Sequence, residues 1–220
     1  MRTDLSEIIF IIDESGSMGP LRDDTIGGFN NLIEDQKKEP GETRITTVMF
    51  DTSHRTVHNN VHINEIELLN RNMYCPCGGT ALLDALGDTI NSVGVRLANT
   101  PEEERPASVL IVITTDGEEN ASHVFTKSKI KEMIEHQQNV YNWKFMFLGA
   151  NIDAISEAES YGIFRGMAAT YSATTRGVDS VYAAASAIAS TTKACAMEGT
   201  LCDTEAYINA VTATLDSTIC

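Results

Sequence analysis

Three short segments carry side chains that could do chemistry together. The first is Asp13-Glu14-Ser15-Gly16-Ser17, a D-x-S-x-S spacing. In extended or gently turning backbone, residues two apart point the same way, so Asp13, Ser15 and Ser17 present three oxygens toward one point. The second is Cys77-Gly78-Gly79-Thr80, with Thr80 near the N-cap of an expected helix, and the third is Thr115-Asp116-Gly117. Each alone reads as ordinary capping or turn chemistry. Together they offer two carboxylates and three hydroxyls with no need of histidine or thiolate, an all-oxygen donor set of the kind Mg²⁺ or Mn²⁺ prefers.

Such segments can act together only if strands and helices deliver them to one place. Residues Glu7 to Asp13, Ser108 to Asp116 and Trp143 to Gly149 are apolar runs without alternation, which predicts strands buried on both faces of a parallel sheet. Between them, apolar residues recur at three- and four-residue steps. The series Leu82, Leu86, Ile90, Val93, Leu97 ends before Pro101, Leu21 to Lys38 repeats the pattern, and Lys129 to His136 is a shorter case; all three predict amphipathic helices. Arg44 to Phe50 and Thr56 to Ile63 are β-rich and separated by too few residues for a crossover, so the second should run antiparallel at an edge. Asp153 can cap a short helix ending near Tyr161. A weak strand over Ala168 to Ser172, an alanine-rich helix and a final helix from about Asp203 to Leu215 complete the expectation. This alternation predicts an α/β fold, a doubly wound Rossmann-like sheet with helices on both faces. In the strand order 3-2-1-4-5-6 the strands ending at Asp13 and Asp116 flank the point where the order reverses, which is where ligands gather.

Composition narrows the partners. The 220 residues carry 16 Lys and Arg against 31 Asp and Glu, a net charge of -15, so nucleic acid and anionic membranes are repelled. Residues 1 to 120 hold 21 acids and 9 bases, and a bias placed there favours a bound cation. No apolar segment approaches the length of a membrane helix. The apolar run from Ile8 to Ile12, preceded by Asp4 and Glu7, is too short and acidic for a signal peptide. With five thinly spread cysteines, Cys75, Cys77, Cys195, Cys202 and Cys220, the expectation is free thiols in a reducing cytoplasm.

DESGSM at 13 to 18, GGTALLDAL at 78 to 86 and TTDGEEN at 114 to 120, in that order and spacing, resemble the von Willebrand factor type A domain with its metal-ion-dependent adhesion site, of the free-standing bacterial or phage type. The resemblance implies that Ser15, Ser17 and Thr80 are hydroxyl ligands and that Asp13 and Asp116 bind directly or through water. It implies a non-enzymatic module that takes a protein partner's Asp or Glu carboxylate on the held cation, Mg²⁺ or Mn²⁺. The domain is expected over residues 1–197, with 198–220 a helical extension packed on it.

Glu14, Asp51, Gly79, Glu118, Glu119, Asn120 and Asn151 should lie on loops at the same end of the sheet, as a rim for partner contact. The alternative is a metal-dependent hydrolase such as a phosphoesterase. That reading needs a base to activate water, and Glu14 is the only adjacent candidate. A dehalogenase-type phosphatase would place an Asp where Ser15 stands, and no P-loop or serine-hydrolase elbow is present. His58 and His62 share one face of the expected edge strand and read as solvated. Cys75-Pro76-Cys77 reads as a tolerated loop near the rim.

Overall fold

The computed structural model describes residues 1–200 together with Cys202, Ala206, Tyr207 and Asn209. Six strands form one sheet: β1 (Arg2–Asp13), β2 (Glu42–Phe50), β3 (His54–His62), β4 (Pro106–Thr115), β5 (Lys144–Ala150) and β6 (Ala168–Tyr171). Their order is β3-β2-β1-β4-β5-β6. Every neighbouring pair is parallel except β2 with β3, so the doubly wound topology and the antiparallel edge strand are as the sequence predicts. Ile8 to Ile12 and Leu110 to Ile113 are essentially without solvent contact, the burial on both faces that uninterrupted apolar runs require.

Helices α1 (Arg22–Gln36) and α5 (Thr175–Glu198) pack together over one face, and α2 (Leu82–Asn99) and α3 (Lys127–Tyr141) over the other, with α4 (Ala154–Ser160) beside β5 and β6. Alternate residues of β1 serve the two layers. Phe10 meets Phe29 of α1 at 4.9 Å between ring centroids, while Glu7 pairs with Arg96 of α2 at 2.5 Å. At Gly28 of α1, an added Cβ would lie 2.4 Å from the Tyr182 ring, so this glycine sets how closely α1 and α5 approach. Asp153 caps α4, its carboxylate accepting from the Ser156 N–H at 3.1 Å. Among the described residues no helix is long and apolar enough to cross a membrane.

Two expectations are corrected. Among the described residues Cys195 and Cys202 form a disulfide and Cys75 and Cys77 are free thiols, while Cys220 lies outside them. Gly199, at φ 67°, ends α5 in the left-handed conformation and turns the chain back, which brings Cys202 onto the last turns of that helix and removes the thiol-based argument for a reducing compartment. His58 is not solvated. An extra residue bulges from β3 near Asn60 (φ 53°), so Ile45 faces Val61 while Thr47 faces His58. The strand's two-residue parity breaks there. His58 is buried against Phe29, its Nδ1 3.0 Å from the Thr47 hydroxyl, and burial lowers its pKa. His62 instead accepts the Asn64 N–H. The helix expected over Asp203 to Leu215, and the extension it belongs to, fall largely outside the described residues; Ala206, Tyr207 and Asn209 are helical.

Candidate metal centre

The apolar run of β1 ends on Asp13, which is fully buried. Its Oδ1 accepts the Ser15 N–H at 2.7 Å and its Oδ2 accepts the Thr115 hydroxyl at 2.6 Å. The Tyr74 hydroxyl donates to the Asp13 main-chain carbonyl at 2.6 Å. Burial pushes the Asp13 carboxyl above its ordinary value, the hydrogen bonds from Thr115 and Ser15 oppose that, and the nearby Asp116 charge adds to it. Past Ser15 the chain enters a short 3₁₀ helix, Gly16–Leu21, so strand parity does not continue to Ser17. The two hydroxyls meet all the same, 3.0 Å apart.

Asp116 follows the end of β4, in register with β1. Its Oδ1 accepts the Ser17 hydroxyl at 2.6 Å. Thr80 enters from the second segment. An added Cβ at Gly117 would lie 3.5 Å from Thr80 Oγ1 and 3.8 Å from Ser17 Oγ, so these two hydroxyls flank the space that Gly117 leaves open. The fold therefore brings Asp13, Ser15, Ser17, Thr80 and Asp116 together. Among the described residues no three His, Cys, Asp or Glu side chains form a metal-holding group. A cation at this end of the sheet would rely on hydroxyls beside the two aspartates, and the oxygen-only donor set fits a hard divalent ion.

Thr80 stands next to the helix cap, as its position suggests, and is not itself the cap. The cap residue of α2 is Ala81, with no side-chain hydrogen bond. Exposed N–H groups of the first turn are instead satisfied from the loop after β4: Glu119 Oε2 accepts the Leu83 N–H at 2.9 Å and Ser122 Oγ that of Asp84 at 3.1 Å. That leaves the Thr80 hydroxyl out of the capping. Its main chain is pinned by Asn120, whose Oδ1 accepts the Thr80 N–H and whose own N–H donates to the Thr80 carbonyl, both at 3.0 Å. Gly78 takes φ 71° at the turn into this segment.

The expected rim divides. Glu118 is exposed and Gly79 stands at the mouth, its N–H donating to Thr52 Oγ1 at 2.9 Å. Glu119 is half-buried against the start of α2, and Asn120 is exposed, its side chain spent on the Thr80 N–H and the Glu118 carbonyl. Asp51 accepts from the Ser53 N–H at 2.7 Å and from the Cys77 thiol at 3.4 Å, and that carboxylate raises the Cys77 pKa. The Asn151 side chain accepts the Ala173 N–H at 3.1 Å, which ties it to the loop after β6 and not to the five donors. Glu14 is buried. Arg55 donates to both its oxygens at 2.9 and 2.8 Å, and the Cys75 N–H donates to it as well.

Sequence reasoning gave no role to Thr115, Tyr74, Arg55 or Asp84. Thr115 lies inside the TTDGEEN segment, so its neighbour Asp116 was a signal. Arg55 and Asp84 meet partners about forty residues away and leave no local pattern.

No family model matches the sequence, and no curated protein matches it. Solved structures do. The chain superposes on the proximal thread matrix protein 1 of the mussel byssus, determined with a zinc-occupied MIDAS motif, at a TM-score of 0.59 with 15% identity over 84% of this chain and 46% of that one. It superposes on the von Willebrand factor domain of the type V pili tip protein Mfa5 from Porphyromonas gingivalis at a TM-score of 0.55, with 10% identity, 80% of this chain and 93% of that one. Manganese-loaded TRAP protein of Plasmodium vivax gives a TM-score of 0.54, 15% identity, 78% and 70%. The chain has the von Willebrand factor type A fold. It spans less than half the length of the mussel protein.

Proposed function

We propose that this chain is a non-enzymatic interaction module that captures an Asp or Glu carboxylate of a protein partner on a divalent cation, Mg²⁺ or Mn²⁺, held by Asp13, Ser15, Ser17, Thr80 and Asp116. The observation that carries the reading is the meeting of three sequence-distant turns at Gly117, where Thr80 Oγ1 and Ser17 Oγ face the same space and Ser17 also reaches Asp116. The metal ions in the zinc-occupied mussel structure and the manganese-loaded Plasmodium structure support it.

Two aspartates balance a doubly charged ion, and the hydroxyls add no charge. Bound there, the ion supplies a hard Lewis-acidic position that exchanges water for a carboxylate. Asp13 is fixed in place by the Ser15 and Thr115 donors, and in the ion's absence its charge is disfavoured by burial and by Asp116. Ser17 and Asp116 stand on the open side. Glu118, exposed beside them, repels an acidic partner unless a cation intervenes, which makes capture conditional on the ion. The hydrolase alternative loses support because Glu14, its only adjacent base, is held by Arg55 and the Cys75 N–H.

The test is thermal unfolding with Mg²⁺ or Mn²⁺ and with chelator, in wild type and Asp13→Ala, alongside capture of a partner under the same conditions. At about 100 times its dissociation constant the cation should stabilise the wild type by about 2.7 kcal/mol. Asp13→Ala should lose both that increment and the capture. Wild-type stability unchanged by either ion would refute the proposal.

A further inference from the structure

The opposite end of the sheet, where β4 and β5 begin, holds a feature that the cation chemistry does not use. Between α2 and α3 a cleft of about 420 Å³ opens, within the range of small-molecule sites, roughly 300–1,000 Å³. Ile90, Val95, Val109, Tyr141 and Trp143 line it. Val95 is 62% and Tyr141 59% exposed, while Trp143, at 4%, sits on the buried side. Apolar side chains left in water on facing helices mark a surface that a ligand covers.

Charge identifies the ligand. In a chain of net charge -15, no Asp or Glu among the described residues lines this cleft, and Arg105 is the one described Lys or Arg that does. Arg2, Arg44, Arg55, Arg71 and Arg96 are each paired with a carboxylate. Among the described residues Arg105 has no such partner, in common with Arg22, Arg165 and Arg176, and of these it alone lines the cleft. Its guanidinium is oriented by two main-chain carbonyls, Thr100 at 2.7 Å and Ala98 at 3.2 Å, which engage two of its five N–H donors and leave the others for an anion.

We infer that the cleft binds a small amphiphilic carboxylate of the medium-chain alkyl type, its apolar body between Val95, Tyr141 and Trp143 and its head group on Arg105. The site is independent of the metal centre, and no step of the proposed partner capture depends on it.

Trp143 is the only tryptophan in the chain, so its fluorescence reports the cleft directly. Titration of the full chain with sodium decanoate, below its micelle concentration, should change the emission saturably. Decanol should bind about tenfold more weakly for want of the charge-assisted bond to Arg105, and decyltrimethylammonium should give no saturable change. Gly94 of α2 lines the cleft, and an added Cβ there meets nothing within 4 Å. Gly94→Leu therefore directs a side chain into the site from a Cβ that meets no neighbour, while improving helix propensity; it should abolish the titration and leave the melting temperature unchanged or higher. Arg105→Gln should bring decanoate down to the level of decanol. The inference is overturned by absence of saturation with decanoate, by an equal response to the cationic amphiphile, or by a titration that survives Gly94→Leu. Concentration-dependent dimerisation abolished by Gly94→Leu would overturn it too, assigning the cleft to a second copy. Should Arg105→Gln fail to fold, the alcohol comparison still decides the role of charge.

Discussion

Acidic side chains crowd the carboxyl end of the sheet, and they fall into two populations of opposite use. Glu14, Asp84 and Glu119 are turned into the loops. Glu14 takes Arg55 and the Cys75 N–H, Asp84 the N–H groups of His123, Val124 and Phe125, and Glu119 those of Leu83, Ala121 and Ser122. Asp116 and Glu118 face outward. Asp116 accepts a single hydroxyl, from Ser17, and the Glu118 carboxylate makes no hydrogen bond or ion pair among the described residues. The inward acids exchange hydration for main-chain donors and so fix where the loops run. The outward ones keep their charge for whatever arrives from solvent. Residue type does not separate the two groups; the distance to an orphan N–H does.

The largest test of that division is Glu14→Ala in chelator. It strips a buried carboxylate that joins the turn after β1, the Arg55 side chain of β3 and the segment leading to Thr80, and should cost about 3 kcal/mol in urea unfolding. A loss below about 1 kcal/mol would move Glu14 into the outward group. Asp84→Ala comes next, at about 2 kcal/mol, because three N–H donors lose a charged acceptor. Its pH dependence sharpens the point. Burial alone would raise the Asp84 carboxyl, but the N–H donors of His123, Phe125 and Val124 outweigh it and hold the pKa below its ordinary value. A depressed folded-state pKa gives stability that is complete above the unfolded value near 3.9 and is lost as pH falls through the folded one. The gap between wild type and Asp84→Ala should therefore stay level from pH 7 to about 5 and narrow below about 4.

Asp116→Ala should behave oppositely. In chelator its stability should stay within about 0.5 kcal/mol of wild type, since one hydroxyl contact is lost and repulsion on Asp13 is relieved. In saturating Mn²⁺ it should lack the increment of about 2.7 kcal/mol expected of the wild type. A variant equally destabilised with and without the ion would make Asp116 another brace.

The same distinction explains what the sequence made legible. Strands β1, β4 and β5 stand out because burial on both faces writes itself as continuous apolar runs, and the five converging oxygens stand out because each sits at a fixed step from a strand end or a glycine turn. The braces do not. Glu14 and Arg55 are 41 residues apart, Leu83 and Glu119 36, so Glu14 and Glu119 read as rim residues from type alone. Thr80 read as lying near a cap, and nothing local tells that the residues satisfying the start of α2 come from the loop after β4. The Asn60 bulge is a tertiary decision as well. Asn tolerates positive φ, but nothing in His58-Asn59-Asn60-Val61-His62 says which residue leaves the register.

Glu118→Gln gives the smallest expected effect and the finest edge to the comparison. An exposed carboxylate without a protein partner contributes little to folding, so unfolding should match wild type within about 0.5 kcal/mol. Its charge still adds to the field at the mouth, and removing it should weaken Mn²⁺ binding by less than about threefold at low salt. At 1 M salt the screening length falls to about 3 Å, and the difference should vanish. An acidic partner feels the opposite sign. Its association with the cation-loaded chain should quicken in Glu118→Gln at low salt, because a like charge has gone from its approach. If Glu118 instead contacted the cation, the loss would be large and would persist at high salt. That outcome would add a sixth donor to the centre and leave Asp116 alone in the outward group.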